Sequence, residues 1–294
     1  MPKKALSTFV LQASRHLLQA DGYISRFVQT REGRVHYYRA KSHGSLPVMV
    51  FLHGLGAHGA DLTPLFRPLR KYARGIVVLD LPVHGLSDAP RSGVLPTPLN
   101  NMLFEALDTI LKDDEPALIF GNSLGGLAAI RYTNHAPQNV QALVLSSPGG
   151  APVDDEKLNR LRQIFATATQ ERPGEFVDRL YNKPPMHRRL MEAEIRLRYA
   201  NENVRRIFDH FDPDHLLTPE EIQSIHVPTL MIWGKQDRIL EEHVEFYRTH
   251  KPAHFRLEEP DHFTHCPYME MSEELAIQIR NFARLHSPRS PHAS

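Results

Sequence analysis

Short runs of consecutive apolar residues recur along the chain, separated by stretches whose apolar positions repeat at helical spacing. Val48 to Leu52, Gly75 to Asp80, Ala117 to Phe120, Val140 to Leu145 and Pro228 to Trp233 are such runs. Bounded by turn residues and only four to six residues long, they suit strands buried on both faces. Alternation over 34–39 predicts a further strand before them, and 254–257 predicts one after. Helical periodicity falls near 61–73, 100–112, 124–134 and 270–285. Strands alternating with helices make a mostly parallel sheet covered on both sides, so the fold class is α/β.

The alternation breaks between 151 and 218, where no apolar strand run occurs and the residues favour helix. An insertion there, at the carboxyl ends of the strands, would lie over the ligand crevice of an open α/β sheet. The alternative is a surface bundle with no role. At the other end, Leu6, Val10, Leu17 and Leu18 predict an amphipathic N-terminal helix over 3–20 that covers the core. A second role, weak peripheral contact with a lipid surface, stays open for it. The expected organisation is a lead-in over 1–33, a core formed by 34–150 and 219–286, a helical cap over 151–218, and a disordered polar tail over 287–294.

Composition narrows the partners. Lys and Arg number 35 against 34 Asp and Glu, a net charge of +1, which gives no overall field for nucleic acid or an anionic membrane. At 41% apolar and 23% charged residues, the 294-residue chain is of ordinary globular type. The single cysteine, Cys266, has no internal partner for a disulfide. No run approaches the ~18 apolar residues of a membrane span, and the apolar start is too short for a signal peptide. A cytoplasmic protein of unspecified oligomeric state, acting on a small molecule, is the expectation.

Candidate chemistry begins at Gly121-Asn122-Ser123-Leu124-Gly125, a G-x-S-x-G sequence with a buried strand before it and a helix after it. That context suits a nucleophile elbow, in which small neighbours let the backbone bend and present the serine. A serine needs a base, and the base needs an acid to fix its tautomer. Asp237 lies just past one strand and His262 just past the next, which places both at the same sheet edge as Ser123. His265 competes with His262; His262 is favoured because it follows the strand-end turn directly. Two histidines at this spacing could also suggest metal ligands, but no further Cys, His, Asp or Glu completes a set, so no metal and no cofactor are expected. Cys266 is expected to pack and not to react. The main-chain N–H groups of Leu55 and Leu124 are the candidate oxyanion donors. His53 is expected to hold its loop, and Asp80 to anchor a turn.

Leu52-His53-Gly54-Leu55-Gly56, Leu79-Asp80-Leu81-Pro82-Val83-His84-Gly85-Leu86-Ser87-Asp88, the elbow, Trp233-Gly234-Lys235-Gln236-Asp237 and Asp261-His262-Phe263 together resemble the α/β-hydrolase superfamily. The resemblance covers about 34–286. It implies a Ser123, Asp237, His262 triad under a helical cap, and an esterase or monoacylglycerol-lipase-like activity on a carboxylic ester. Val83 and Asp261 stand where the superfamily usually has glycine. Gly121-Asn122-Ser123 and the Ser146-Ser147-Pro148-Gly149-Gly150 segment look like the meta-cleavage-product hydrolases, which makes carbon–carbon cleavage the second expectation. Against it, Phe263 stands where that branch has tryptophan, and Glu194 near the place of its cap arginine, with Arg196 and Arg198 close by. A non-catalytic binding protein of the same fold is the third.

Overall fold

The computed structural model describes residues 3–169, 172–183, 185–209 and 215–287, with backbone alone at 3–8, 169, 208 and 209. The tail expected to be disordered lies, apart from Ser287, outside these residues.

Eight strands form one sheet: β1 (Ile24–Gln29), β2 (Arg34–Lys41), β3 (Met49–Leu52), β4 (Gly75–Leu79), β5 (Ala117–Asn122), β6 (Val140–Ser146), β7 (Thr229–Ile232) and β8 (Arg256–Glu258). Their order is β1-β2-β4-β3-β5-β6-β7-β8. The β1–β2 and β2–β4 pairs are antiparallel, and every pairing from β4 to β8 is parallel. The sequence pattern explains the division. All residues of β3, β4, β5 and β7 are buried, as continuous apolar runs require. By contrast β1, Ile-Ser-Arg-Phe-Val-Gln, is an edge strand with one buried residue, and no apolar run announces it.

Eleven α-helices flank the sheet among the described residues. Around the core run α1 (Lys3–Ala20), α2 (Thr63–Leu69), α3 (Pro96–Leu111) and α4 (Leu124–His135). Between β6 and β7 come α5 (Asp155–Thr169), α6 (Pro173–Leu180), α7 (Arg188–Tyr199), α8 (Glu202–Asp209) and the short α9 (Pro219–Gln223). The chain closes with α10 (Val244–His250) and α11 (Ser272–His286). On α1 Leu18 is buried and Val10 half-buried, but Leu17, expected on the covering face, is exposed with Phe9. This helix packs against α7 and β1.

Parallel pairing brings the carboxyl ends of β3, β5, β6, β7 and β8 to one edge, with Leu52 opposite Gly121 and Asn122 opposite Ser146. The loops that carry the candidate chemistry all leave from that edge, where open α/β sheets hold their ligands.

Candidate active site

Ser123 follows β5 and caps α4 with φ 54° and ψ −119°, a strained conformation for any residue but glycine. Four backbone bonds hold the strain in place: Ser123 N–H donates to Ser146 O at 3.1 Å, and Ser123 O accepts from the Gly126 and Gly149 N–H groups at 2.9 Å each and from Leu127 N–H at 3.2 Å. Glycine is required beside it. A Cβ on Gly121 would come within 2.3 Å of Gly125 O, and one on Gly125 within 2.3 Å of Leu52 O. The strand-turn-helix context expected for the elbow is therefore the one observed.

Asp237 comes from the loop after β7, and the histidine that the loop after β8 brings against it is not the expected one. His265 Nδ1 lies 2.8 Å from Asp237 Oδ2, with both side chains buried. His262 is corrected by this geometry: its side chain is half exposed and its Nε2 meets Glu274 Oε2 at 2.7 Å, away from Asp237. The reason is how the loop after β8 spends its length. Asp261 and His262 turn outward into water, where Asp261 pairs with Lys235, while Phe263, Thr264, His265 and Cys266 are all buried. Polar neighbours carried His262 out, and apolar neighbours carried His265 in. That contrast was a usable signal in the sequence.

Asp237 is held on three sides. Its Oδ1 accepts from the Ile239 and Leu240 N–H groups at 2.9 Å each, and Oδ2 takes the His265 proton. Burial alone would raise the carboxyl pKa, but His265 and the two amides hold it below the ordinary value. The carboxylate fixes the His265 proton on Nδ1 and leaves Nε2 with a free lone pair.

Ser123 and His265 line one cavity, together with Gly54, Leu55, Asn122 and cap residues of α5, α6 and α7. The Asn122 side chain, whose role the sequence did not reveal, ties the parts together. Its amide donates to Ser146 O at 3.0 Å and to His265 O at 2.9 Å, linking the serine strand to the histidine loop.

The loop after β3 is pinned by two buried imidazoles. His53 Nδ1 donates to Gly54 O at 2.7 Å and its Nε2 accepts from the Leu81 N–H at 3.0 Å. His84 Nδ1 donates to Pro82 O at 2.9 Å and its Nε2 accepts from the Gly56 N–H at 3.0 Å. An accepting Nε2 requires the neutral form, and burial holds His53 down at about 4 and His84 at about 3. The Leu55 and Leu124 N–H groups meet no protein acceptor among the described residues, so both are free to donate to a ligand. From the cap, Tyr199 reaches across and donates to Leu55 O at 2.7 Å.

Asp80 accepts from the Gly59 and Leu86 N–H groups and from His36 Nδ1, a loop anchor with no bond to His265. Val83 occupies the left-handed region at φ 68°, so the turn keeps the shape that glycine would give at a strain of roughly 1–3 kcal/mol. The Cys266 thiol is pushed up to about 12 by burial, which keeps it protonated and unreactive. No group of three His, Cys, Asp or Glu is placed to hold a metal among the described residues.

A model of the alpha/beta hydrolase family matches residues 49–278. The chain belongs to that family. This hydrolase is 24% identical over 267 residues to the monoacylglycerol lipase ABHD6 of Homo sapiens, covering 83% of this chain and 77% of that one. It is also 24% identical over 238 residues to the 2-hydroxy-6-oxononadienedioate/2-hydroxy-6-oxononatrienedioate hydrolase of Escherichia coli O81, covering 76% and 82%. Among solved structures, the esterase EaEST of Exiguobacterium antarcticum superposes with a TM-score of 0.74 at 21% identity, over 89% of this chain and all of that one. That likeness carries the fold. No helix among the described residues of this hydrolase is long and apolar enough to cross a membrane.

Proposed function

We propose that this hydrolase cleaves a carboxylic ester through an acyl-enzyme on Ser123, with His265 as the base and Asp237 as its orienting acid. The observation that carries the reading is the buried 2.8 Å contact of His265 with Asp237, in the cavity that Ser123 lines from its strained turn. In the first step Ser123 Oγ attacks the ester carbonyl carbon while His265 Nε2 takes the hydroxyl proton, and the Leu55 and Leu124 N–H groups receive the developing oxyanion. Collapse of the tetrahedral intermediate expels the alcohol, which takes the proton from His265. Water then attacks the acyl-enzyme with His265 again as base, releasing the acid and restoring Ser123.

The cavity suits an acyl chain. Phe165, Phe176, Leu180, Ile195, Ile239 and Met269 line it, an apolar arm beside the reacting groups. The monoacylglycerol lipase activity printed for the human relative agrees with that shape. A rate panel of p-nitrophenyl esters from acetate to palmitate, run on the wild type and on Ser123→Ala, tests the reading. Ser123-dependent turnover with a chain-length optimum is expected; unchanged hydrolysis by Ser123→Ala overturns it. A 2-hydroxy-6-oxo-dienoate in the same panel tests the activity printed for the Escherichia coli relative, and cleavage of it far above every ester would replace ester by carbon–carbon hydrolysis.

A further inference from the structure

The cavity wall under α7 carries charged groups that the ester chemistry leaves unused. Arg198 Nη1 donates to Asp61 Oδ2 at 2.5 Å, and Nη2 donates to Asp61 Oδ1 at 3.2 Å, to His58 Nε2 at 2.8 Å and to the Glu194 carboxylate. Arg198, Asp61 and Glu194 all line the cavity that holds Ser123, and their side chains are between 17% and 20% exposed. His58 receives the guanidinium proton on Nε2, so it is neutral. Two carboxylates thus face one guanidinium, and the wall carries a surplus negative charge.

The pairing keeps these charges in place. Burial by itself would raise the Asp61 carboxyl, but Arg198 and the His58 main-chain N–H, which donates to Oδ2 at 3.0 Å, hold it well below the usual carboxylate range. Burial would likewise lower Arg198, and the two acids push it above its ordinary value. The second Glu194 oxygen, Oε2, takes no donor among the described residues, which leaves an acceptor on this wall. A carboxylate-bearing substrate would meet an arginine whose Nη1 and Nη2 groups already serve two carboxylates, and a net negative field in a partly desolvated site. A hydroxyl would find an acceptor there.

Resting on the serine ester-hydrolase reading, we propose that Glu194 is a specificity-determining residue that closes Arg198 to anionic substrates and admits uncharged, hydroxyl-bearing esters. Glu194 is the part of the wall that can be neutralised without breaking the Arg198–Asp61 pair, so its loss would remove the surplus negative charge and bring the wall to neutrality.

Matched substrates test this at both ends of the ester. p-Nitrophenyl hexanoate against p-nitrophenyl hydrogen adipate reads the acyl end, and glyceryl monobutyrate against O-butyryl glycolate reads the alcohol end. The wild type is expected to favour the neutral member of at least one pair by more than about tenfold in kcat/KM. In Glu194→Gln that ratio should fall at least about tenfold, mainly through faster turnover of the anionic member. The double variant Glu194→Gln, Arg198→Gln should not show the gain, because without the guanidinium Asp61 leaves the wall negative again.

A wild-type ratio near one at both ends, or an unchanged ratio in a Glu194→Gln protein that keeps the wild-type circular dichroism and melting temperature, overturns the proposal. Calorimetric titration of the Ser123→Ala protein with hexanoate and with hexanamide reads the same charge preference without turnover, again with and without Glu194→Gln. Failure of the serine reading would show separately, as ester hydrolysis that survives Ser123→Ala.

Discussion

The two walls of the cavity are built on different physics. The core wall, made of the loops after β3, β5, β7 and β8, is held by buried hydrogen bonds from neutral or singly paired groups: His53, His84, Asn122 and the Asp237–His265 pair. The helices above it are held by ion pairs: Arg198 on α7 pairs with Asp61 of the loop after β3 and with Glu194, and, away from the cavity, Arg188 pairs with Asp178 and Glu192. A backbone fixed by neutral imidazoles keeps its shape with no counter-charge to balance, which suits groups that must hold reacting atoms. Ion pairs on helices leave the charge of a wall open to single substitutions. On the proposed reading, reaction geometry lies with the sheet edge and substrate charge with α7.

The largest effect should come from the core wall. Replacing His265 by Ala should lower kcat for the preferred ester by about 10³-fold or more, since the serine loses its base while binding groups remain. Steady-state kinetics with a soluble ester measures it. Loss of less than tenfold would remove His265 from the chemistry and return the question to other bases at the edge.

Next is the acid sensitivity of the core wall. Unfolded histidines titrate near 6.5, but in the folded protein burial holds His53 and His243 at about 4 and His84 at about 3. Between those values the unfolded chain binds more protons than the folded one, so stability falls as pH drops from about 6.5 toward 4, by up to about 3 kcal/mol per imidazole. The carboxylates with lowered pKa, Asp61, Asp80 and Asp237, contribute stability that is lost only below the unfolded carboxylate value of 3.8. Urea unfolding at steps from pH 7 to pH 4.5 therefore isolates the histidines. A flat profile across that window would mean that the loop after β3 is not held by neutral rings.

Tyr199 makes one of the bonds that join the two walls, and breaking it should give an intermediate effect. Tyr199 is buried on α7 and donates to Leu55 O, directly behind a candidate oxyanion donor, and its ring lies where a side chain on Gly56 would be. Tyr199→Phe keeps the ring and deletes the donor. Expected are a stability loss of about 1 kcal/mol and a fall in kcat of roughly three- to tenfold with little change in KM, because the loop is needed most when the oxyanion forms. An effect confined to KM would make Tyr199 a substrate contact and not a support for the loop.

Legibility in the sequence followed the same boundary between buried and exposed. Strands β3 to β7 were readable because each is a continuous apolar run, and Ser123 because the elbow demands glycines where any Cβ would strike backbone. Edge strand β1 was not readable, since its residues alternate too weakly to show a buried face. Asn122 and Tyr199 escaped because their bonds span 143 and 144 residues, and nothing local marks them. For the histidine two signals diverge: position after a strand points to His262, whereas burial among its neighbours marks His265, which the loop after β8 carries against Asp237.

The same loop carries the smallest expected effect, and the one that most sharpens the contrast between buried and exposed groups. His262 and Glu274 form an exposed pair, each side chain nearly half in water. Pairs of this kind gain little, because solvent screens the charges and two mobile side chains must be ordered. His262→Ala should change stability by no more than about 0.5 kcal/mol and kcat by less than about twofold. The measurement is the urea midpoint and the ester rate of this variant beside His265→Ala, on one preparation. Three residues separate the two imidazoles, yet one lies against Asp237 in the interior and the other in solvent. If their variants lost activity equally, burial at the sheet edge would not be what distinguishes a reacting group from a surface one in this hydrolase.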